Sequence, residues 1–434
     1  MKRITIFLAL ALTALPLKGQ ESFHPKAVST AGTFADLARG SEALGWNPAR
    51  LGRGDNPRFG LSFGVLPLMP FPRLELNNST MNATWLNDNL YRGYFSSQDI
   101  QDLLQSIPDS GWEGSTQIQM EILGLSFGHF GFSVTPEIQA TVNLPKDLFK
   151  LVFNGVRFEQ PVELFDINVN VQGVIPVSFG YGLPLTIPVL ENFADEFYVG
   201  AAVKPLIGLF NVRTTASEGS LTSFPDRIEA DGTVEAKSAF GGFGFAADLG
   251  VGARLLDRFE VGLSLNNMFG QVRWSGKNTQ VIRERLQGEI LSSQFEDLQD
   301  DSLREDILNS IVQEDTTYAG SGYTTTYPTY LNVSGKMANV IPNLDVMVNY
   351  RQYFTSENYL STTPRVSGAV QYRPLPWLAF RAGLALGGYE SFQWGTGFGL
   401  QFTHYEFNFG FSQNNGMFNS ARGMTISLGQ TLLF

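Results

Sequence analysis

The chain offers few residues that could act as a catalytic base or a metal ligand. It has three histidines, His24, His129 and His404, and no cysteine. His24 lies near the N-terminus, and the other two lie in short segments that we predict to be turns. None has a nucleophile at a recognisable spacing, and the sequence contains no phosphate-binding loop, HExxH motif or nucleophile elbow. The sequence therefore predicts a protein that is not an enzyme and that carries no cofactor.

A cluster of acidic side chains in residues 277–315 is the other candidate for chemistry. This stretch has ten acidic and four basic residues, a net charge of −6. Its densest part, residues 297–306, lacks the Asp-x-Asp-x-Asp-Gly spacing of a calcium loop. Ser302 and Glu305 instead form a capping box, which is typical of a helix start. We interpret the cluster as a solvated helix and predict no metal site.

The elements that would position any site are strands, because apolar residues alternate with small or polar ones. From Gly423 to Phe434 the even positions include Met424, Ile426 and Leu428, and the odd positions are mostly Gly, Ser and Thr. Such alternation gives a strand one apolar and one polar face. Fourteen stretches of this kind occur after residue 57, and the last ends at the terminal Phe434.

The N-terminus and the composition point to export. A basic start, an apolar run over residues 4–17 and a plausible cleavage position after Gly19 predict a signal peptide over residues 1–19. Aromatic residues make up 13% of the chain, glycines number 45, and no later segment has the roughly 20 apolar residues of a membrane-spanning helix. The net charge of −11 argues against nucleic acid as a partner. We predict a protein of the Gram-negative outer membrane.

These observations predict an all-β fold, a transmembrane antiparallel barrel of about fourteen strands. Residues 20–56 do not alternate, and we expect them to form a hatch inside the lumen, with a short helix that begins near Thr33. Residues 57–434 would form the barrel. Short connections alternate with long ones, as in outer-membrane barrels, and the long external loops are predicted at 71–115, 212–237 and 273–328, with helices in the first and the last.

Seven charged residues fall on the polar faces of predicted strands and should point into the lumen. They either line a polar passage or pair with one another and with the hatch, since charges without water need partners. The residues are Lys204, Asp248, Glu260, Asp345, Arg351, Arg381 and Glu406.

Two stretches carry a resemblance to a known family. Asn47, Pro48 and Ala49, preceded by Ala-Leu-Gly-Trp, match an element of the N-terminal hatch in the long-chain fatty-acid transporter (FadL-like) barrels. Residues 248–270 resemble a strand-turn-strand of Bacteroidetes-type relatives, which include uncharacterised and PorV-like barrels. The chain thus resembles the FadL-like superfamily in architecture throughout and in motif at these two places.

The resemblance implies a monomeric barrel with a hatch, and passive transport of small hydrophobic molecules across the outer membrane. The expected partners are outer-membrane lipid, the barrel assembly machinery, which would read the terminal Phe434, and a small hydrophobic ligand. The acidic loops would repel a fatty-acid carboxylate. The alternative is a PorV-like, secretion-associated partner protein that does not transport.

Overall fold

The structure is a computed structural model, in which most of the chain after residue 23 is described. The described residues are 24–63, 65–66, 69–70, 73–90, 96–154, 161–163, 167–186, 194–291, 312–355 and 361–434. The predicted signal peptide over residues 1–19 and the predicted helix at Ser302 lie outside them. No helix among the described residues is long and apolar enough to cross a membrane.

Twenty-three β-elements follow the alternating stretches of the sequence. In chain order they are β1 (Phe59–Phe63), β2 (Val65–Leu66), β3 (Met69–Pro70), β4 (Arg73–Asn78), β5 (Trp112–Gln119), β6 (Leu123–Phe127), β7 (Phe130–Val134), β8 (Glu137–Leu144), β9 (Val162–Glu163), β10 (Asn168–Leu185), β11 (Glu196–Ser223), β12 (Arg227–Leu255), β13 (Phe259–Trp274), β14 (Thr279–Leu291), β15 (Val312–Ala319), β16 (Tyr323–Thr326), β17 (Tyr330–Ile341), β18 (Leu344–Tyr353), β19 (Arg365–Leu375), β20 (Leu378–Gly387), β21 (Phe392–Gln401), β22 (Tyr405–Asn414) and β23 (Gly423–Leu433).

These elements form the fourteen strands of a closed antiparallel barrel, as predicted. Six of the wall strands are interrupted, so that each combines two or three elements: β1 with β4, β5 with β6, β7 with β8, β9 with β10, β13 with β14, and β15 with β16 and β17. The barrel closes where β1 pairs with β23, with Gly60 opposite Leu433. The last strand therefore completes the wall against the first.

The barrel wall is polar inside and apolar outside. Along β13 and β17 the inward Ser264 and Asn332 are each 1% exposed, whereas the outward Leu263 and Val333 are 45% and 40% exposed. The same division holds for β18, where Asp345 is buried and Val348 is exposed. Lipid can cover the apolar face and the hatch covers the polar one, which is the arrangement of a transmembrane barrel.

The segment before β1 lies inside the lumen, where it packs against β10, β11, β12, β21 and β22. It contains helix α1 (Pro25–Ser29) and three 3-10 turns at Ala35–Leu37, Gly40–Ala43 and Pro48–Gly52. The predicted helix from Thr33 is wrong. The Thr33 hydroxyl bonds Ser367 Oγ at 2.8 Å instead of capping a helix, and Gly40 has a φ of +54°, which ends any continuous turn.

The first predicted loop is helical, and the second is mostly strand. Residues 71–115 contain α2 (Ala83–Leu90) and α3 (Ser97–Ser106), which is capped by Ser96, and a further helix α4 (Lys146–Asn154) follows β8. The predicted loop 212–237 is wrong, because β11 and β12 continue to a tight turn at 224–226. These strands leave the lipid, so both faces meet water and the alternation that identifies a strand disappears.

The third predicted loop, 273–328, also contains strand. β14 pairs with β12, and β15 pairs with β14, so four strands extend together beyond the long-loop end of the barrel. With 28 residues in β11 and 29 in β12, the strands far exceed the roughly 9–11 residues that cross a membrane. We call this extension the external sheet (residues 212–239, 279–291 and 312–319).

Deleting Phe434 is expected to reduce the amount of folded barrel in the membrane. The Phe434 N–H donates to Phe59 O at 2.8 Å, the Phe59 N–H donates to Phe434 O at 3.0 Å, and the ring stacks on His404. Loss of this pair opens the barrel seam at its end. Heat-modifiable migration of outer-membrane extracts measures the folded fraction, and Phe354→Ala, which changes an exposed phenylalanine away from the seam, serves as the control. Equal folded fractions for the deletion and the wild type would contradict the expectation.

Candidate functional site

The predicted hatch motif is fixed to the barrel wall by its backbone and by one amide side chain. Asn47 caps the turn Pro48–Gly52, because its Oδ1 accepts the Ala49 N–H at 3.0 Å. Its Nδ2 donates to Val251 O on β12 at 3.1 Å. The preceding Trp46 O accepts bonds from Ser264 and Asn266 on β13. The motif therefore joins a 3-10 turn to two adjacent wall strands.

Glycines in the wall leave the space that this turn occupies. A Cβ at Gly200 would lie 2.4 Å from Pro48 O, and one at Gly250 would lie 2.0 Å from Asn47 Oδ1. A Cβ does not approach a backbone atom so closely, so only glycine permits the contact at Gly200. At Gly250 a Cβ would displace the Asn47 side chain that caps the turn. The glycine positions of β11 and β12 thus match the Asn-Pro-Ala turn.

Glu260 is the main counter-ion of the hatch at the short-turn end of the barrel. Its Oε2 lies 2.6 Å from Arg50 Nη1 and also accepts from Arg53 Nη1, and its Oε1 lies 3.4 Å from Lys336 Nζ. Glu260 is 4% exposed and Arg50 is 2% exposed. One wall carboxylate therefore holds two hatch cations in a site with little water.

A second charge cluster joins α1 to the opposite wall. Lys26 Nζ lies 2.9 Å from Glu42 Oε1 and 2.7 Å from Glu406 Oε1 on β22, and His24 Nε2 lies 3.2 Å from Glu42 Oε1. Burial alone would raise the pKa of Glu42, but the nearby charges of Lys26 and His24 outweigh burial and hold that pKa below its usual range. The hatch is thus tied to two sides of the lumen by ions.

The other predicted lumen charges are also buried and have partners. Lys204 Nζ lies 2.6 Å from Asp248 Oδ2. Arg381 donates to Gln371 Oε1 at 2.8 Å and to Asn408 Oδ1 at 2.9 Å.

Asp345 and Arg351 complete the set. Asp345 lies 3.3 Å from Arg373 and 3.7 Å from Lys336, and the Arg351 guanidinium lies 4.3 Å from the Trp46 ring centroid. The seven charged residues were expected either to line a polar passage or to pair with one another and with the hatch. The contacts favour the second interpretation.

Asp36 is the hatch carboxylate with the poorest neutralisation. Ser334 Oγ donates to its Oδ1 at 3.0 Å, and no salt bridge to Asp36 is found within the described residues. Burial raises the pKa of Asp36 to about 6, although the Arg50 charge opposes the rise. Between pH 3.8 and about 6, Asp36 is therefore protonated in the folded protein and ionised in the unfolded chain.

We expect Asp36→Asn to remove part of the pH dependence of stability between pH 7 and 5. The raised pKa means that Asp36 destabilises the fold at pH 7 and that protonation relieves this as the pH falls, by about 1.4 kcal/mol per pKa unit. The Glu42 pair has the opposite sign and weakens only below its unfolded pKa of 4.5, outside this window. Thermal midpoints at pH 5 and 7 measure the effect, and equal pH dependence in wild type and variant would contradict it.

A cavity of about 160 Å³ lies between the hatch and the long-loop half of the lumen. Its floor is the hatch stretch 41–46, one wall is formed by β5, β7, β8 and β10, and the other includes Tyr327, Tyr330 and Tyr353. A cavity of about 150 Å³ is enough to hold a benzene molecule. The cavity is therefore large enough for one small ring compound.

Sequence reasoning missed the cavity residues and the hatch cations. Gln117, Gln119 and Gln139 do stand at the polar positions of their strands, and this alternation was the available signal. Some polar positions of the strands contact the hatch and others line the cavity. The path of residues 24–58 decides between the two, and no pattern in the sequence gives that path. Lys26, Arg50 and Arg53 lie outside the strands, so their partners could not be assigned.

The histidines are used structurally. The His24 ring stacks on Phe34 with centroids 4.6 Å apart, His129 Nδ1 lies 3.1 Å from Leu51 O, and His404 Nδ1 lies 3.0 Å from Leu433 O. Within the described ranges, no group of three or more His, Asp or Glu side chains could hold a metal ion.

The comparisons with known proteins agree with this architecture. Residues 61–239 and 224–411 match a family of unknown function, DUF5723. No curated protein matches the chain. The chain is similar to the solved structure of the Pseudomonas putida toluene transporter TodX, with 11% identity, 96% of this chain and 99% of that chain covered, and a TM-score of 0.55.

The chain is also similar to the CymD monoaromatic hydrocarbon channel, with 12% identity, coverage of 97% of this chain and 98% of that chain, and a TM-score of 0.52. At these identities the likeness shows the fold alone, and it agrees with the predicted fourteen-strand antiparallel barrel. The match to the family is made on the amino-acid sequence rather than on the fold, and it extends over most of the chain. The chain therefore belongs to the family of unknown function DUF5723.

Proposed function

We propose that the protein is an outer-membrane channel for the passive uptake of small hydrophobic molecules. The observation that carries the proposal is the cavity of about 160 Å³ on the outer side of a lumen-filling hatch. An open porin would have a continuous aqueous channel, whereas this hatch is bound to the wall by ion pairs and glycine contacts. The proteins of similar fold include one named as a toluene transporter and one named as a monoaromatic hydrocarbon channel.

The position of the cavity supports a sideways route into the membrane. Glu121 and Thr135 line the cavity, and both lie where the wall strands are interrupted, between β5 and β6 and between β7 and β8. Backbone bonds still bridge the interruption, from the Met120 N–H to Pro136 O at 3.0 Å and from the Thr135 N–H to Pro176 O at 3.3 Å. Few bonds would have to break there, in contrast to the many contacts that hold the hatch.

Uptake of toluene by intact cells tests the proposal, because toluene crosses a phospholipid bilayer without a protein and the lipopolysaccharide leaflet of the outer membrane slows it. A deletion strain should take up toluene more slowly than the same strain with the gene restored, and the two strains should take up a polar solute of similar size, such as glycerol, at the same rate. Equal rates of toluene uptake by the two strains would overturn the proposal.

Export, insertion and oligomeric state belong to the same proposal. We infer that the chain is exported, inserted by the barrel assembly machinery through its terminal strand and Phe434, and active as a monomer in outer-membrane lipid. Each barrel contains its own hatch and cavity, so a single copy is complete. Size-exclusion chromatography with light scattering would give the number of chains per detergent particle.

A second function, that of a PorV-like partner protein, has one specific observation in its favour. The external sheet carries charges such as Glu235, Arg283 and Glu289 above the lipid, with Arg283 Nη2 2.7 Å from Glu235 Oε2. A rigid, charged surface of this kind suits a protein partner. Affinity purification from solubilised membranes separates the two functions, because a channel should purify alone and a partner protein should purify with a defined second chain.

A further inference from the structure

The lumen cavity has two chemically different walls. Tyr327, Pro328, Tyr330 and Tyr353 form one wall, where the rings of Tyr330 and Tyr353 lie 5.0 Å apart. The rest of the lining includes the polar side chains Gln117, Gln119, Ser133, Thr135, Glu137, Gln139 and Ser178. This polar wall meets the tyrosine wall where Glu137 and Tyr327 share a hydrogen bond. A hydrocarbon would match only the first of these walls.

Three side chains of the polar wall are almost fully buried and have unused hydrogen-bonding groups. Gln117, Ser133 and Ser178 are 6%, 7% and 5% exposed, and their side chains have no hydrogen-bond partner in the described part of the protein. All three line the cavity. Buried polar groups normally form hydrogen bonds. A cluster without protein partners is therefore typical of a site where a ligand, or water in its absence, forms these bonds.

The charges around the cavity select against an anion. Its cation Lys204 is already bound to Asp248 and to Asn267 Oδ1 at 2.8 Å, and His24 is bound to Glu42. Glu121 and Glu137 add two more carboxyl groups to the lining. A carboxylate ligand would therefore enter a region with excess acidic groups and without an available cation.

We propose that the cavity binds a neutral compound of one ring that carries a hydroxyl or amide group. The ring would lie against the tyrosine wall, and its polar group would bond Gln117. Ser133 and Ser178 face each other farther along the same wall and would keep water. This inference rests on the proposed uptake function and names its substrate class: polar neutral ring compounds are preferred over both hydrocarbons and carboxylates. Sites that bond a ligand hydroxyl discriminate strongly against the analogue that lacks it, because their polar groups are then left unpaired.

Calorimetric titration of the purified full-length protein with phenol, toluene and benzoate tests the preference. Phenol is expected to bind at least about tenfold more tightly than toluene or benzoate. Gln117→Leu should bring phenol to the level of toluene without weakening toluene. The matched control is Gln172→Leu, the same change at a buried lumen glutamine of β10 that does not line the cavity. Gln117→Met, which keeps the length of the side chain, is a second variant that should reduce the preference in the same way if Gln117→Leu fails to fold.

The outcomes separate this inference from the proposed function. If restoring the gene speeds toluene uptake by cells, but the purified protein binds toluene as tightly as phenol and Gln117→Leu changes neither affinity, the inference is overturned and the uptake function stands. If phenol binds with the stated preference but neither compound crosses, the binding site is supported and the uptake function fails. Tightest binding of benzoate would also overturn the inference.

Discussion

Replacing Glu260 by Gln is expected to loosen the hatch and to make the closed barrel conduct ions. The change removes the carboxylate that Arg50, Arg53 and Lys336 share. Arg53 keeps Asp55 and Lys336 keeps Asp345, but the buried Arg50 is left without a salt bridge among the described residues. Removing one partner of a buried ion pair costs about 3–5 kcal/mol. Since each 1.4 kcal/mol changes an equilibrium about tenfold, the population with a displaced hatch should rise more than a hundredfold.

Planar-bilayer recordings measure this change as new or more frequent conductance events, and sensitivity of cells to a large antibiotic reports it in vivo. The control is Glu235→Gln, because Glu235 pairs with Arg283 on the external sheet, where the arginine is 45% exposed. Exposed pairs contribute about 0–1 kcal/mol, so this variant should stay closed. If Glu260→Gln folds and conducts no more than the wild type, the hatch does not depend on that carboxylate.

Gly250→Val is expected to displace the Asn-Pro-Ala turn from the wall. The new Cβ would overlap Asn47 Oδ1 at 2.0 Å, so Asn47 would lose its bond to Val251 O. Overpacking typically costs about 1–3 kcal/mol, and here the clash falls on the side chain of Asn47, which caps the hatch turn. Gly200→Val should act in the same way against Pro48.

Limited trypsin digestion detects the displacement, because Arg50 is 2% exposed in the closed form and should become a cleavage site. Gly368→Val is the matched control: it is the same change on β19, and the Cβ there meets nothing closer than 3.8 Å. Protection of Arg50 in a folded Gly250→Val barrel would show that the wall glycines do not define the hatch position.

The barrel itself could be predicted from sequence because lipid imposes a simple rule on each strand. Val348 and Leu263 had to be apolar, and Asn349 and Ser264 polar, whatever the rest of the chain does. Beyond the lipid, apolar and polar residues no longer need to alternate. The sequence of residues 212–237 therefore predicts a loop, although β11 and β12 continue through them. The residue pattern of a strand in water on both sides carries no comparable constraint.

The candidate site was predictable only in part for a different reason. Glu260 and Glu406 could be assigned to the lumen by their strand positions. Their partners could not, because Arg50 and Lys26 belong to a segment whose path depends on the completed wall. The Asn-Pro-Ala resemblance located the hatch motif, but the glycines that receive it are distributed over β11 and β12 and look, in sequence, like ordinary small residues of a strand.

The position of the hatch at the start of the chain has a consequence for the order of assembly. Its contacts reach far along the sequence, since Asn47 bonds Val251, Tyr330 bonds Gly45, and Ser334 bonds Asp36. Contacts between such distant residues form slowly, because long segments must be ordered first. The hatch segment precedes the wall in the chain and is thus among the last parts to reach its native contacts. Once β23 has joined β1, the hatch can enter only through the ends of the barrel. Closure of the seam therefore competes in time with entry of the hatch, and variants that weaken the seam and variants that weaken the hatch should modify each other's folding rates.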